Sequence, residues 1–288
     1  MSIRQEILQL IERNLSTTVT DSTAVGGGSI NHAYCLATNA GKYFIKINSM
    51  DKFPGMFKAE AAGLTVIAAT AAIRVPQVLL CDNAGNESFL LMEWIDARRS
   101  TAKASEELGR NLAQMHRRSA DYFGLDYDNY MGSLPQSNKI HNNWADFFIE
   151  ERLMPMVSIA MDKQLLTKGD IADFGLLYKN LSGLFDEEAP ALIHGDLWGG
   201  NYLVDTNERP FLIDPAICYG HREFDMAMTS LFGGFSNEFY RAYRESFPLA
   251  KGWEGRIDLW NLYPLLVHLN LFGGGYLGQV RDCLRGYV

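Results

Sequence analysis

The stretch LIHGDLWGGNYLVD at 192–205 sets Asp196, Trp198 and Asn201 in a short loop between two apolar runs, and Asp214 ends another apolar run thirteen residues after Asn201. Any one of these would pass as a turn or capping residue of a polar hairpin loop. Together they supply parts that phosphoryl transfer from a nucleotide needs: a carboxylate to orient and deprotonate an alcohol, and an amide oxygen with a second carboxylate to hold Mg2+. What such a set still lacks is a cation for the phosphates.

Lys46 is the candidate. In KYFIKIN the alternation puts Tyr43, Ile45 and Ile47 on one face of a strand and Phe44 with Lys46 on the other. A lone lysine on a strand is ordinarily solvated. Glu60 changes that expectation, because it lies three residues after Phe57 and four before Leu64, on the apolar stripe of a helix. A carboxylate there requires a partner, and Lys46 can serve. The glycine run ahead of the strand, with Gly27, Gly28 and Ser29, reads either as a flexible turn or as a loop whose N–H groups approach phosphates.

The elements that must hold these residues follow from periodicity. Ile3, Ile7, Leu10 and Ile11 mark an opening amphipathic helix, not a leader peptide. A hairpin follows across NHAYCLATNAGKYFIKIN, then a helix with Phe57, Ala61, Leu64 and Ala68 on one stripe, then strands on either side of the turn DNAGNE. Beyond Asp96 long helical segments take over, with a boundary near Pro155, a small hairpin at YLVDTNERPFLIDP and further helices to the C-terminus. The reading is an α+β chain of two lobes sharing a cleft: residues 1–96 a small lobe of antiparallel sheet plus helix, residues 97–288 a larger, mainly helical lobe.

Composition excludes several classes. A net charge of −8 argues against nucleic-acid binding, which needs a basic stripe to displace counterions. No apolar run is long enough to span a bilayer. The four cysteines are far apart, signalling neither a zinc site nor a disulfide framework, and Cys35 is expected to be a small buried apolar residue. A soluble, cytoplasmic monomer without nucleic-acid or membrane partners is the expectation.

The spacing of five and then thirteen between Asp196, Asn201 and Asp214 matches the catalytic loop and metal aspartate of the protein-kinase-like fold, in the right order after the glycine loop, strand lysine and helix glutamate. Through GGGSI, FIKIN, AEAAGL, LLMEWI, LIHGDLWGGN, DPAICYGHREFDMAMT and HLNLFGGGY, nearly the whole chain resembles the fructosamine kinase (ketosamine-3-kinase) family, relatives of aminoglycoside and choline kinases. The resemblance implies ATP and Mg2+ as cofactors and a ketosamine, free or protein-bound, as substrate. It further implies that Gly27, Gly28 and Ser29 cover the phosphates, and that Lys46, held by Glu60, binds them. Glu93, Trp94 and Ile95 would meet adenine through the main chain.

By the same resemblance Asp196 is the general base, Asn201 and Asp214 are Mg2+ ligands, and Trp198 either stacks on the sugar-amine or is a packed aromatic. His194 braces the loop and Asp225 anchors it from below. His221, Arg222 and Glu223 either line the substrate side or brace it, and His268 and Asn270 stay equally open. Asp214 is followed by Pro-Ala, and GHREFD comes too soon for a peptide-binding activation segment, which suits small, open acceptors. Eukaryotic members carry a cysteine where this chain has Ser29, so no redox switch is expected in that loop. The implied product, a 3-phosphate that sheds its sugar, makes the activity a deglycation step. A kinase for an aminoglycoside, choline or sugar and a nucleotide-binding pseudokinase are the competing readings.

Overall fold

The computed structural model describes residues 3–26 and 30–288. Five antiparallel strands form the first sheet, in the order β1-β2-β3-β5-β4. They are β1 (Val19–Ala24), β2 (His32–Thr38), β3 (Gly41–Ser49), β4 (Val78–Ala84) and β5 (Glu87–Glu93). Because side chains alternate across the pleat, β3 feeds two cores. Ile45 and Ile47 pack with Leu36, Phe89 and Leu91 against Ile7 and Ile11 of α1 (Gln5–Leu15). Phe44 packs on the opposite side, where Phe57 and Leu64 of α2 (Met56–Ala69) meet Leu90 and Met92. Lys46 therefore faces α2.

β1 was not foreseen. It is exposed along almost its whole length, so no apolar alternation marks it. Gly27, Gly28 and Ser29 lie outside the described residues.

After β5, β6 (Ala97–Arg98) joins the hairpin of β10 (Tyr202–Asp205) and β11 (Pro210–Leu212). Thr101 caps α3 (Ala102–His116) by accepting the Ala104 N–H. A short hairpin follows, β7 (Asn129–Met131) with β8 (Leu134–Gln136), also unforeseen. Then α4 (Trp144–Phe147) runs through one wide π-helical stretch, Phe148–Leu153, into α5 (Met154–Asp162). The expected boundary near Pro155 is a change of helix type. The chain stays helical although Pro155 lacks an N–H, because the π-helical stretch ahead of it widens the ladder and the Glu151 carbonyl, four residues back, accepts from the Arg152 guanidinium instead.

The remaining elements are α6 (Lys168–Asn180), β9 (Ala191–Ile193), β12 (Cys218–Gly220), α7 (Glu223–Leu231), α8 (Asn237–Ser246), α9 (Ile257–Phe272) and α10 (Leu277–Arg285). Stacked and edge-on rings of Trp144, Phe148, Phe224 and Trp260 fill the centre of the mainly helical lobe. No helix among the described residues is long and apolar enough to cross a membrane.

Candidate active site

The cleft side of α2 brings the first charges together. Lys46 Nζ lies 2.8 Å from Glu60 Oε1 and 2.5 Å from Asp214 Oδ1. Lys46 is 5% exposed, which removes the solvated-lysine alternative. Burial by itself would push its ammonium down, but the Asp214 and Glu60 carboxylates outweigh it and hold the lysine charged. The sequence had paired Lys46 with Glu60. The structure adds Asp214, from 168 residues further along.

The catalytic-type loop leaves β9 and returns into β10, and it is stitched at both ends to the segment that carries Asp214. The Ala216 N–H donates to the His194 carbonyl at 2.9 Å, and the Ile213 N–H to the Asn201 carbonyl at 3.0 Å. Gly195 sits at φ 80°, where a side chain would also collide with the Ala216 carbonyl. Asp214 adopts φ 54°, a left-handed conformation that short polar side chains tolerate better than others.

Asn201 Nδ2 donates to both the main-chain oxygen and Oδ2 of Asp196, at 2.8 and 2.9 Å. Burial raises the Asp196 carboxyl to about 7, with the Asn201 bond opposing the shift and the Asp214 charge adding to it. A carboxylate with that affinity for protons can accept one from an alcohol near neutral pH.

Asn201 spends its amide hydrogens on Asp196, so its Oδ1 remains as a donor atom, and Asp214 uses Oδ1 on Lys46 while its side chain stays 40% exposed. Two hard oxygens presented from stitched backbone segments are the kind of ligand Mg2+ takes. The residues fit that ion.

Beneath the loop, Asp225 of α7 accepts from the main-chain N–H of His194 at 2.6 Å and of Gly195 at 2.9 Å, and from His116 Nε2 at 3.1 Å. The Tyr243 hydroxyl completes the chain on His116 Nδ1 at 2.8 Å. His194 accepts the Asp196 N–H on Nδ1 and donates from Nε2 to the Ile213 carbonyl. Burial lowers its proton affinity, so it is a neutral link between the loop and the Asp214 segment.

His221, Arg222 and Glu223 are buried, and their side chains are taken up by partners outside the 194–214 site. His221 stacks on Trp260, Arg222 makes a two-pronged pair with Glu188, and Glu223 pairs with Arg256 and the Trp260 indole. Asn270 is buried as well and donates to the Met156 carbonyl. His116 and Tyr243 were missed; His116 ends an amphipathic helix and carries no local signal that its partner lies on α7. Cys35 is half-buried, not buried as expected, because its strand lies next to the exposed β1.

Trp198 is 36% exposed, with its indole lying over Gly200, where any side chain would strike the ring. Phe232 meets it edge-on at 6.1 Å, and His268, Phe272 and Tyr276 continue the row. The result is an open aromatic wall beside Asp196. Glu93 ends β5 and Trp94 and Ile95 follow it; the Glu93 N–H donates to the Gln77 carbonyl and Trp94 Nε1 to Asp96.

Comparisons with known proteins agree with this architecture. The family model described as fructosamine kinase matches residues 3–288. The chloroplastic protein-ribulosamine 3-kinase of Arabidopsis thaliana is 38% identical over 290 residues, which cover 97% of this chain and 86% of that protein. The crystal structure of a protein from Thermobifida fusca YX-ER1, described as a fructosamine-3-kinase, has a TM-score of 0.89 at 36% identity and covers 99% of each chain. Spectinomycin phosphotransferase, at 14% identity, a TM-score of 0.62 and coverage of 100% and 94%, shares the two-lobed kinase-like fold alone. This chain is a member of the fructosamine kinase family.

Proposed function

We propose that the protein is an ATP- and Mg2+-dependent kinase that phosphorylates the 3-hydroxyl of ketosamines, the rearranged adducts of sugars with amines, as a deglycation step. The names in the family differ in the sugar, fructosamine or ribulosamine, and share the ketosamine. The observation that carries the reading is Lys46 in contact with both Glu60 and Asp214 across the cleft from an Asp196 tied to Asn201.

In this reading Asp196 takes the proton of the 3-hydroxyl as its oxygen bonds to the γ-phosphorus and the bond from that phosphorus to the β-phosphate bridge breaks, releasing ADP. Lys46 steadies the phosphates and Glu60 steadies Lys46. Asn201 and Asp214 hold Mg2+, which when bound offsets phosphate charge. Gly27, Gly28 and Ser29 cover the phosphates, and Glu93, Trp94 and Ile95 meet adenine through the main chain at the boundary between lobes 1–96 and 97–288. Trp198 stacks on the sugar-amine. All of these residues come from one chain, so the reading needs no second copy, and the four free thiols suit a reducing compartment such as the cytoplasm.

The test is coupled ADP release with ATP and Mg2+ on ribuloselysine, fructoselysine, an aminoglycoside and choline. Turnover confined to the two lysine adducts is expected. Turnover on the aminoglycoside or choline alone would overturn the substrate assignment, and silence on all four with intact nucleotide binding would overturn the catalytic one.

A further inference from the structure

The β7–β8 hairpin stands with its foot under the Asp214 segment and its tip against the other lobe. At the foot, Asn129 Nδ2 donates to the Ile217 carbonyl at 2.9 Å, and Gln136 Nε2 donates to Asn129 Oδ1 at 2.7 Å and to the Ala216 carbonyl at 3.4 Å. The Tyr263 hydroxyl donates to Gln136 Oε1 at 2.5 Å, which settles the amide orientation, since only the nitrogen then faces Asn129 and Ala216. Asn129 and Gln136 are 5% and 3% exposed. Arg152 clamps the residues that follow, donating to the Ser137 carbonyl and to Asn138 Oδ1 while lying over the Phe147 and Tyr263 rings.

At the other end the Tyr130 hydroxyl donates to the Pro54 carbonyl, just ahead of α2, at 3.0 Å. Gly132, in the turn, faces Ile30 and Leu271. A hairpin held only by packing would have no use for two buried amides, each of which is costly unless bonded. Here both are spent on the carbonyls of Ala216 and Ile217, the second and third residues after Asp214. That aspartate holds a left-handed conformation which persists only where its surroundings over-determine it.

We infer that Asn129 and Gln136 are positioning residues for the metal-holding segment: their amides fix the carbonyls that follow Asp214 and so aim its carboxylate at the Mg2+ position. This rests on the reading of Asp214 as a Mg2+ ligand given above. Tyr263 acts one step further back, by holding the Gln136 amide in register.

The experiment is calorimetric titration of the full-length protein with ADP, with and without Mg2+, on wild type, Gln136→Met and Tyr263→Phe, alongside the Mg2+ concentration giving half-maximal turnover. Methionine keeps the length and apolar bulk of glutamine and deletes the amide. In Gln136→Met the tightening of ADP by Mg2+ should fall about tenfold, with metal-free ADP affinity within about twofold, and Tyr263→Phe should move the same way by less. An unchanged Mg2+ effect in the folded variants would overturn the inference, as would equal weakening with and without the metal, the mark of a structural role alone. Should Gln136→Met not fold, Tyr263→Phe, which deletes one buried hydroxyl, decides by the same ratio. Wild type that transfers no phosphate to any ketosamine, yet binds ADP in a Mg2+-dependent way that these variants weaken, would sink the substrate reading and leave this one standing. Wild-type ADP binding indifferent to Mg2+ would sink this one.

Discussion

The two walls of the cleft hold their polar groups by different means. On the sheet side, Lys46 and Glu60 project from apolar elements: β3 and α2 are fixed by Phe57, Leu64, Leu90 and Met92, and the ion pair rests on that packing. On the helical side it is backbone that is fixed: the loop by Asp225, itself held by His116, and by His194, and the segment after Asp214 by the amides of Asn129 and Gln136. A side chain on a packed scaffold can be removed with the scaffold intact. A backbone held by buried hydrogen bonds cannot lose its acceptor so easily. The same kind of substitution should therefore cost activity on one wall and folding on the other.

Asp225→Ala puts the largest strain on that contrast. It strands two main-chain N–H groups and His116, in a site where the aspartate and histidine side chains are wholly buried. At about 1–3 kcal/mol for each unsatisfied group, the loss should reach about 4 kcal/mol or more, read as a collapse of the thermal midpoint or of soluble yield. Glu60→Gln, on the opposite wall, should leave the midpoint within a few degrees and weaken ATP binding. Equal destabilisation by the two would erase the distinction.

Asp196→Asn comes next and separates chemistry from folding within the helical wall. Turnover should fall by about 10²–10⁴, with ADP binding within about threefold of wild type by calorimetry. Because burial raises the Asp196 carboxyl to about 7, kcat/KM of the wild type should climb as pH rises from 6 to 8, when the base loses its proton. The stability effect has the opposite sense. The unfolded carboxyl titrates near 3.9, so the folded form binds the proton more tightly, and wild-type stability falls as pH rises from there through about 7. Relative to wild type, Asp196→Asn should melt higher at pH 8 than at pH 5. A flat wild-type pH profile between 6 and 8 would take the general-base role away from this residue.

Lys46→Met tests the sheet wall. Combined with Glu60→Leu, so that no carboxylate is left buried without its cation, it should raise the KM for ATP about 10–100-fold while the thermal midpoint moves little, because replacing both members of a buried ion pair with apolar bulk is often close to neutral. A midpoint drop as large as that of Asp225→Ala would mean that the ion pair, and not the apolar packing, holds β3 to α2.

The same contrast governs how much the sequence discloses. Lys46 and Glu60 could be paired in advance because strand and helix periodicities are local: each residue's face is read from neighbours two to four positions away. The spacing of Asp196, Asn201 and Asp214 is also short-range, and it pointed to the loop. The supports under that loop are not local. Apart from the bond between Asn129 and Gln136 themselves, the bonds of His116, Tyr243, Asn129, Gln136 and Tyr263 that build this support span 80 residues or more, and nothing in the alternation of the intervening chain records which buried amide meets which carbonyl. The strand at 19–24 escaped for a simpler reason, since an exposed edge strand carries no apolar alternation.

Trp198 stands outside both systems, and the effect expected of it is the smallest. Its indole lies over Gly200 and meets Phe232 edge-on, but no buried donor or acceptor depends on it, and over a third of it faces solvent. Loss of the ring in Trp198→Ala should therefore spare the fold, with a midpoint shift of about 2 °C or less, and spare the nucleotide, which lies on the other side of Asp196 in the proposed arrangement. What it should change is the KM for the ketosamine, by about tenfold, the worth of one aromatic face against a polar-rimmed sugar. Trp198→Phe should recover part of that loss. A midpoint shift comparable with that of a core aromatic, or a KM for ATP that moves with the KM for the acceptor, would make Trp198 a structural member of the loop, and the acceptor would then have to be held by the Phe232, His268 and Phe272 end of the aromatic row.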